Sequence, residues 1–267
     1  MKQDIFGDRM KAYEQAEAGR KFLPRLPIVV RLDGKGFSKY TKNLNRPYDT
    51  RFSEIMVEVT KFLVDNTGAR VGYTQSDEIS LIYYADDVKQ YLFFDGKIQK
   101  IISVLASMAT AIFNNLATQQ LPTDLVHEYA FFDCRAWVVP SKDEAANAIL
   151  WREYDATKNS RMSACRAVYS HKAMLNKSTN EQLDMLLAKG INWNNYPASF
   201  KRGVYVQRRE VERELTANEL AKIPEAHRPV GAIKRNEVRV IEMPVLSKVV
   251  NRVDVLFDGA VPEVADE

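Results

Sequence analysis

Residues 71–84 read VGYTQSDEISLIYY. Two runs rich in β-branched and aromatic residues, about 70–75 and 79–84, flank the polar tip Ser76-Asp77-Glu78, which is the pattern of a β-hairpin. Upstream, PIVVRLD (27–33) is another strand, bounded by Pro27 and Gly34. Between them residues 50–66 read as a helix: Thr50 is a capping residue, Phe52, Ile55, Met56, Val59, Phe62 and Leu63 share a face, and Gly68 follows the end. Downstream, residues 97–118 form a long apolar helix, and FFDCRAWVV (131–139) is a fourth strand ended by Pro140. The order β-α-β-β-α-β is the ferredoxin-like motif. The expected class is therefore α+β, ferredoxin-like, with further helices and strands toward the C-terminus.

In that motif the first and third strands are antiparallel neighbours at the centre of the sheet. Asp33 ends the first strand, and Asp77 and Glu78 begin the third, so this strand order collects three acids at one sheet edge. Two bare carboxylates about 4 Å apart repel by about 4 kcal/mol at an effective dielectric near 20. A shared proton, a nearby cation or a divalent metal relieves that cost. Mg²⁺ takes oxygen ligands, commonly one or two carboxylates plus substrate phosphates. The loop after Asp33 fits the same use. Gly34 and Gly36 allow a tight turn and close backbone approach to phosphates, the amides of residues 35–38 are candidate donors, and Lys35 and Lys39 add positive charge. The loop is neither a Walker A motif nor a dinucleotide fingerprint.

The remainder is read more coarsely. Residues 8–20 suggest a helix opened by Asp8. Ser141-Lys142-Asp143-Glu144 has capping-box spacing and predicts a helix of about 25 residues. VRVIEMPVLSKVVNRVDVLF, near the end, reads as two strands. KRGVYVQRREVER (201–213) is basic but interleaved with Glu210 and Glu212, so it is either a phosphate track or a solvated face. The 267 residues are 46% hydrophobic with a net charge of +3, so a nucleic-acid surface has to be local. There is no CxxC, and His127, His171 and His227 have no ligand spacing, which argues against a zinc site or a disulfide framework. The N-terminus has no apolar signal core. IISVLASMATAIFNNLA is interrupted by Asn114 and Asn115 and is expected to be too short and too polar to cross a membrane. A cytoplasmic protein without membrane contact is the expectation.

Four stretches together resemble the tRNA(His) guanylyltransferase family: RLDGKGF (31–37), QSDEIS (75–80), FDCRAWVVPS (132–141) and WREYD (151–155). INWNNYPASFKRGVYV (191–206) is similar to the family's segment before a late strand, so the resemblance spans about residues 1–206. It implies a polymerase-type palm in residues 1–140, with residues 141–267 packed on it for tRNA binding and assembly into homo-oligomers, tetramers by resemblance. It implies a nucleotidyltransferase that activates the 5′-phosphate of tRNA with ATP or GTP. The enzyme then adds nucleotides in the 3′-to-5′ direction with two Mg²⁺ ions. Carried over, Asp33, Asp77 and the Gly34 carbonyl are metal ligands, and Glu78 is their catalytic neighbour. Asp33, Gly34, Lys35, Gly36, Phe37, Ser38, Arg46, Ser76, Asp77 and Asn159 contact nucleotide. Arg161, Lys201, Arg202 and Arg208 contact tRNA. Arg46 stands where the family commonly has lysine.

One departure bears on the substrate. Members acting strictly on tRNA(His) carry H-I-N-N-L-Y-N after W-R-x-x-D, whereas residues 157–163 are TKNSRMS, with only Asn159 in common. That resembles the branch that repairs 5′-truncated tRNAs. Two other readings share the strand order: a non-catalytic ferredoxin-like RNA-binding module, and a palm-type nucleotidyl cyclase.

Overall fold

The computed structural model describes residues 4–87, 89–122 and 129–265; His127 lies outside them. The helices are α1 (Ile5–Ala18), the single turn α2 (Phe37–Tyr40), α3 (Thr50–Thr67), α4 (Ile98–Gln120), α5 (Lys142–Val168), α6 (His171–Met174), α7 (Thr179–Leu187), α8 (Ala198–Arg202), α9 (Ala217–Ala221) and α10 (Arg252–Asp258). The strands are β1 (Ile28–Gly34), β2 (Val71–Gln75), β3 (Glu78–Tyr83), β4 (Phe132–Val138), β5 (Val204–Arg213) and β6 (Ile233–Ile241).

The six strands form one sheet in the order β4-β1-β3-β2-β5-β6, every pair antiparallel. Its first four members have the expected ferredoxin-like order, with β1 and β3 paired side by side. Strands β5 and β6 lengthen the sheet beyond β2, so the second half of the chain joins the first by main-chain hydrogen bonds.

Side chains alternate across the sheet. Ile28, Val30 and Leu32 enter a core with α3 and α4, while Val29 joins a second core with Ile149 of α5 and with Val255 and Leu256 of α10. The apolar stripe of α3 is buried as its 3.6-residue period requires. Asp49, one residue before the expected cap, closes the helix by accepting from the Arg51 amide. The helix ends at Gly68, whose φ of 73° suits glycine. The expected Ser141 cap opens α5, its hydroxyl accepting from the Glu144 amide.

Three expectations are corrected. Helix α1 begins at Ile5, capped by Asp4 rather than Asp8. The C-terminal stretch supplies one strand, β6, and then the helix α10, closed by Gly259 at φ 78°. Helix α4 runs 23 residues and contains an 18-residue window with a mean hydropathy of 1.5, so by length and composition alone it is long and apolar enough to cross a membrane. It packs as an amphipathic core helix, with Ile101, Leu105, Ala109, Phe113 and Ala117 buried on one stripe.

Candidate active site

The strand register sets the acids. Asp33 stands opposite Glu78 on one side and opposite Asp133 of β4 on the other. The β2–β3 turn consists of Ser76 and Asp77, with Ser76 at a φ of 50° that few side-chain-bearing residues adopt. The Gly34 amide donates to the Asp77 carbonyl at 3.1 Å, tying the end of β1 to this turn. The Ser76 hydroxyl donates to Asp77 Oδ1 at 3.0 Å. Burial raises the Asp77 carboxyl above its ordinary range, and the nearby Asp33 charge adds to the shift.

The two glycines have separate reasons. A β-carbon on Gly34 would lie 2.3 Å from the Phe37 ring. Gly36 has a φ of 69° and precedes α2. The Phe37 ring is buried against Tyr40, Phe52, Phe113 and Phe132, so this residue can meet a ligand only through its backbone. The Lys35 amide donates to the Phe131 carbonyl at 2.8 Å, which removes it from the expected set of phosphate donors. The amides of Gly36, Phe37 and Ser38 remain, at the opening of a helical turn, where amides have no intrahelical acceptor.

Asp33, Ser76, Asp77, Arg46 and Asn159 all line one cleft of about 1350 Å³ including its open mouth. Its walls are the hairpin tip, residues 41–53, the middle of α5 and the start of α8. The Arg46 guanidinium, exposed here, reaches the Thr41 carbonyl at 3.4 Å. Asn159 donates to Asp155 Oδ2 at 3.2 Å and faces the same space.

Glu78 is committed elsewhere. Arg152 of α5 binds its carboxylate in a fork, Nε and one terminal nitrogen each 2.6 Å from an oxygen, with both side chains about nine-tenths buried. Burial pushes the Glu78 carboxyl up, and the Arg152 bonds oppose that shift. Glu78 is thus a positioning residue for the hairpin tip rather than a free ligand.

The expected tRNA residues do not line the cleft. Arg208 pairs with Asp65 of α3. Lys201 donates to the Asn194 carbonyl and lies 5.5 Å from the Trp193 ring. Arg161 lies 5.6 Å from the same ring, its Nε buried without a hydrogen-bond partner. The Arg202 carbonyl accepts from the Tyr73 hydroxyl at 2.7 Å. The charges of β5 find their ion-pair partners on neighbouring elements: Arg213 with Glu219 of α9 and Glu237 of β6, and Glu210 with Lys234 of β6.

A metal site can be tested against these donors. Asp33 and Asp77 present carboxylate oxygens and the Gly34 carbonyl is adjacent, an all-oxygen set suited to a hard cation. The Arg135 guanidinium stands 3.9 Å from Asp33, at the outer limit of an ion pair, so the mutual repulsion is only weakly relieved. Among the described residues no group of three or more His, Cys, Asp and Glu side chains is placed to hold a metal. The residues fit Mg²⁺ only if substrate phosphates complete its shell, which is that ion's usual habit.

The sequence profile described as Thg1, tRNAHis guanylyltransferase, matches residues 7–140. A solved bacterial tRNA(His) guanylyltransferase (Thg1)-like protein in complex with ATP superposes with a TM-score of 0.78 at 36% identity, covering 94% of this chain and 98% of that one. The chain belongs to the tRNA(His) guanylyltransferase family. A bacterial Thg1-like protein in complex with GTP matches with a TM-score of 0.69 at 35% identity, over 92% of this chain and 95% of that one. The tRNA(His) guanylyltransferase of Neurospora crassa is 28% identical over 222 residues, 74% of this chain and 71% of its own length. Like other members of the family, the chain is a nucleotidyltransferase, which removes the non-catalytic RNA-binding module as an alternative. Asp133, Arg135 and Arg152 are the site residues that sequence reasoning passed over. Their signal lay in the FDCR and WREYD stretches, which carried the family resemblance without a role for these charges.

Proposed function

We propose that this chain extends the 5′ end of tRNA in the 3′-to-5′ direction, and that its substrates include 5′-truncated tRNAs. The observation that carries this reading is the convergence of Asp33, Ser76 and Asp77 on one cleft that Arg46 and Asn159 also line.

Two transfers follow. In the first, an oxygen of the RNA 5′-phosphate attacks the α-phosphorus of ATP or GTP, and pyrophosphate leaves. In the second, the 3′-hydroxyl of the incoming nucleotide attacks the activated 5′-phosphate, and AMP or GMP leaves. The amides of residues 36–38 and the Arg46 guanidinium bind and orient triphosphate oxygens. Ser76 fixes the Asp77 carboxylate, and the Arg152–Glu78 pair holds the turn that carries both. Two Mg²⁺ ions held by Asp33, Asp77 and the Gly34 carbonyl would supply Lewis-acid activation of the attacking oxygen and charge neutralisation at the leaving group. Asn159 lines the cleft and stands near the nucleotide. The poor match to H-I-N-N-L-Y-N supports a substrate range wider than tRNA(His).

A panel of 5′-trimmed tRNA transcripts with labelled GTP tests the reading. Extension of several trimmed tRNAs is expected. Activity confined to full-length tRNA(His) overturns the repair reading, and cyclised nucleotide formed without RNA overturns tRNA extension altogether.

A further inference from the structure

Trp151 is at odds with a purely structural role. Helix α5 buries Ala145, Ala146, Ile149, Glu153 and Ala156 against the sheet, yet Trp151 remains 53% exposed and Tyr154, one turn on, 54%. The indole is held at its base rather than covered. The Arg152 guanidinium lies 4.5 Å from its ring centroid and that of Arg31 5.7 Å. Arg31 Nε is buried and has no hydrogen-bond partner.

Arg31 and Asp33 project from the same face of β1. Arg135 of β4 sits directly opposite Arg31 in register, and its guanidinium reaches within 3.9 Å of Asp33 while bonding Asp133. Strand β4 is the sheet edge, so no further strand lies beyond it. The result is an exposed indole with two guanidiniums, running along the sheet to Asp33. Trp151 does not line the cleft described above, although Arg152 and Asp155 do. Asp33 therefore borders both the cleft and this face.

A reaction that joins a nucleotide to an RNA end needs two entries to one centre. We propose that Trp151, with Arg31 and Arg135, is a stacking platform for the 5′-terminal base of the RNA, the guanidiniums facing its phosphates. The proposal rests on the tRNA reading above. The chemistry suits it: aromatic rings stack on any base, which a substrate of variable 5′ sequence requires, and nearby arginines meet the backbone charge.

The test uses the full chain, the variants W151A and W151F, and a 5′-monophosphorylated, 5′-trimmed tRNA transcript labelled at its 3′ end. The same transcript with an abasic 5′ nucleotide is the second probe. W151A is expected to weaken RNA binding about tenfold, the scale of one lost base stack, with ATP affinity unchanged and W151F close to wild type. On the abasic RNA the wild-type and W151A chains should bind alike. If wild type binds tRNA and W151A matches it, or if the two losses simply add, the platform is wrong and the tRNA reading stands. A changed sedimentation coefficient of W151A with unchanged RNA affinity overturns it in favour of a surface between copies of the chain. No RNA binding by wild type overturns both proposals together.

Discussion

The Arg152 guanidinium and the Glu78 carboxylate, 74 residues apart in sequence, form a two-bonded fork that clamps helix α5 to the tip of the β2–β3 hairpin. The next residue along the hairpin is Asp77. A clamp one residue from Asp77 fixes where that carboxylate points.

Removing one partner leaves a buried charge alone. Arg152→Met should cost about 3–5 kcal/mol of stability, the usual scale for breaking a buried pair. Asp155, which also accepts from Arg152 at 3.0 Å, loses that ion pair at the same time and keeps the Asn159 amide. The double variant Arg152→Met, Glu78→Met should recover most of that stability while transfer activity stays low, because the hairpin tip is no longer held. Denaturant melts and initial rates on both variants check this. Full activity in the double variant contradicts the positioning role.

Asp49 caps α3 and bonds the Arg51 side chain, which holds its carboxyl down at about 2. The folded value lies below the unfolded one, near 3.8. The stabilisation is therefore complete above about pH 4 and is lost as pH falls toward 2, amounting to about 2 kcal/mol at neutral pH. Asp49→Ala should lose about that amount at pH 7 and much less at pH 2.5. A deficit that does not shrink with acidification contradicts the assignment.

Gly34 has no room for a side chain. Gly34→Ala drives a methyl group into the Phe37 ring, in a cluster of five aromatic rings. A loss of about 1–3 kcal/mol is expected, the scale of overpacking, together with a large loss of transfer because β1 and the turn shift. Thermal melts and turnover of the variant measure both effects; wild-type values in both would show that the ring moves aside freely.

Asp77 is uncomfortable without a cation. Burial and the Asp33 charge both raise its carboxyl, so its charge opposes folding at neutral pH. Asp77→Asn should be at least as thermally stable as wild type. Added Mg²⁺ with GTP should raise the melting temperature of wild type and not of the variant, since binding stabilises only the state that binds. Equal shifts in both proteins contradict the ligand role.

Much of the frame was legible because burial follows period. The apolar stripe of α3, the alternation of β1 and the hairpin with its polar tip at Ser76-Asp77-Glu78 are local patterns, although Glu78 proves to open β3 and leaves a two-residue turn. The ferredoxin-like order places Asp33 beside Asp77 without further information. What escaped reading is non-local. Asp49 and Arg152 look like any surface charges until their partners arrive through the fold. The stretch VVNRVDVLF alternates well enough to suggest a strand, yet Gly259 closes it as a helix that buries Val255, Leu256 and Phe257. The basic run of β5 could be read either as a phosphate track or as a solvated face, because its acidic partners are spread over α3, α9 and β6.

The most direct test of the central claim is 5′-end incorporation of labelled GTP into a trimmed tRNA, titrated with Mg²⁺, for wild type, Asp33→Asn and Asp77→Asn. Mg²⁺-dependent extension by wild type is predicted, with a loss of at least about a hundredfold in each variant, on the scale of one transition-state electrostatic group. Extension by either variant at the wild-type rate and with the same Mg²⁺ dependence would contradict the account.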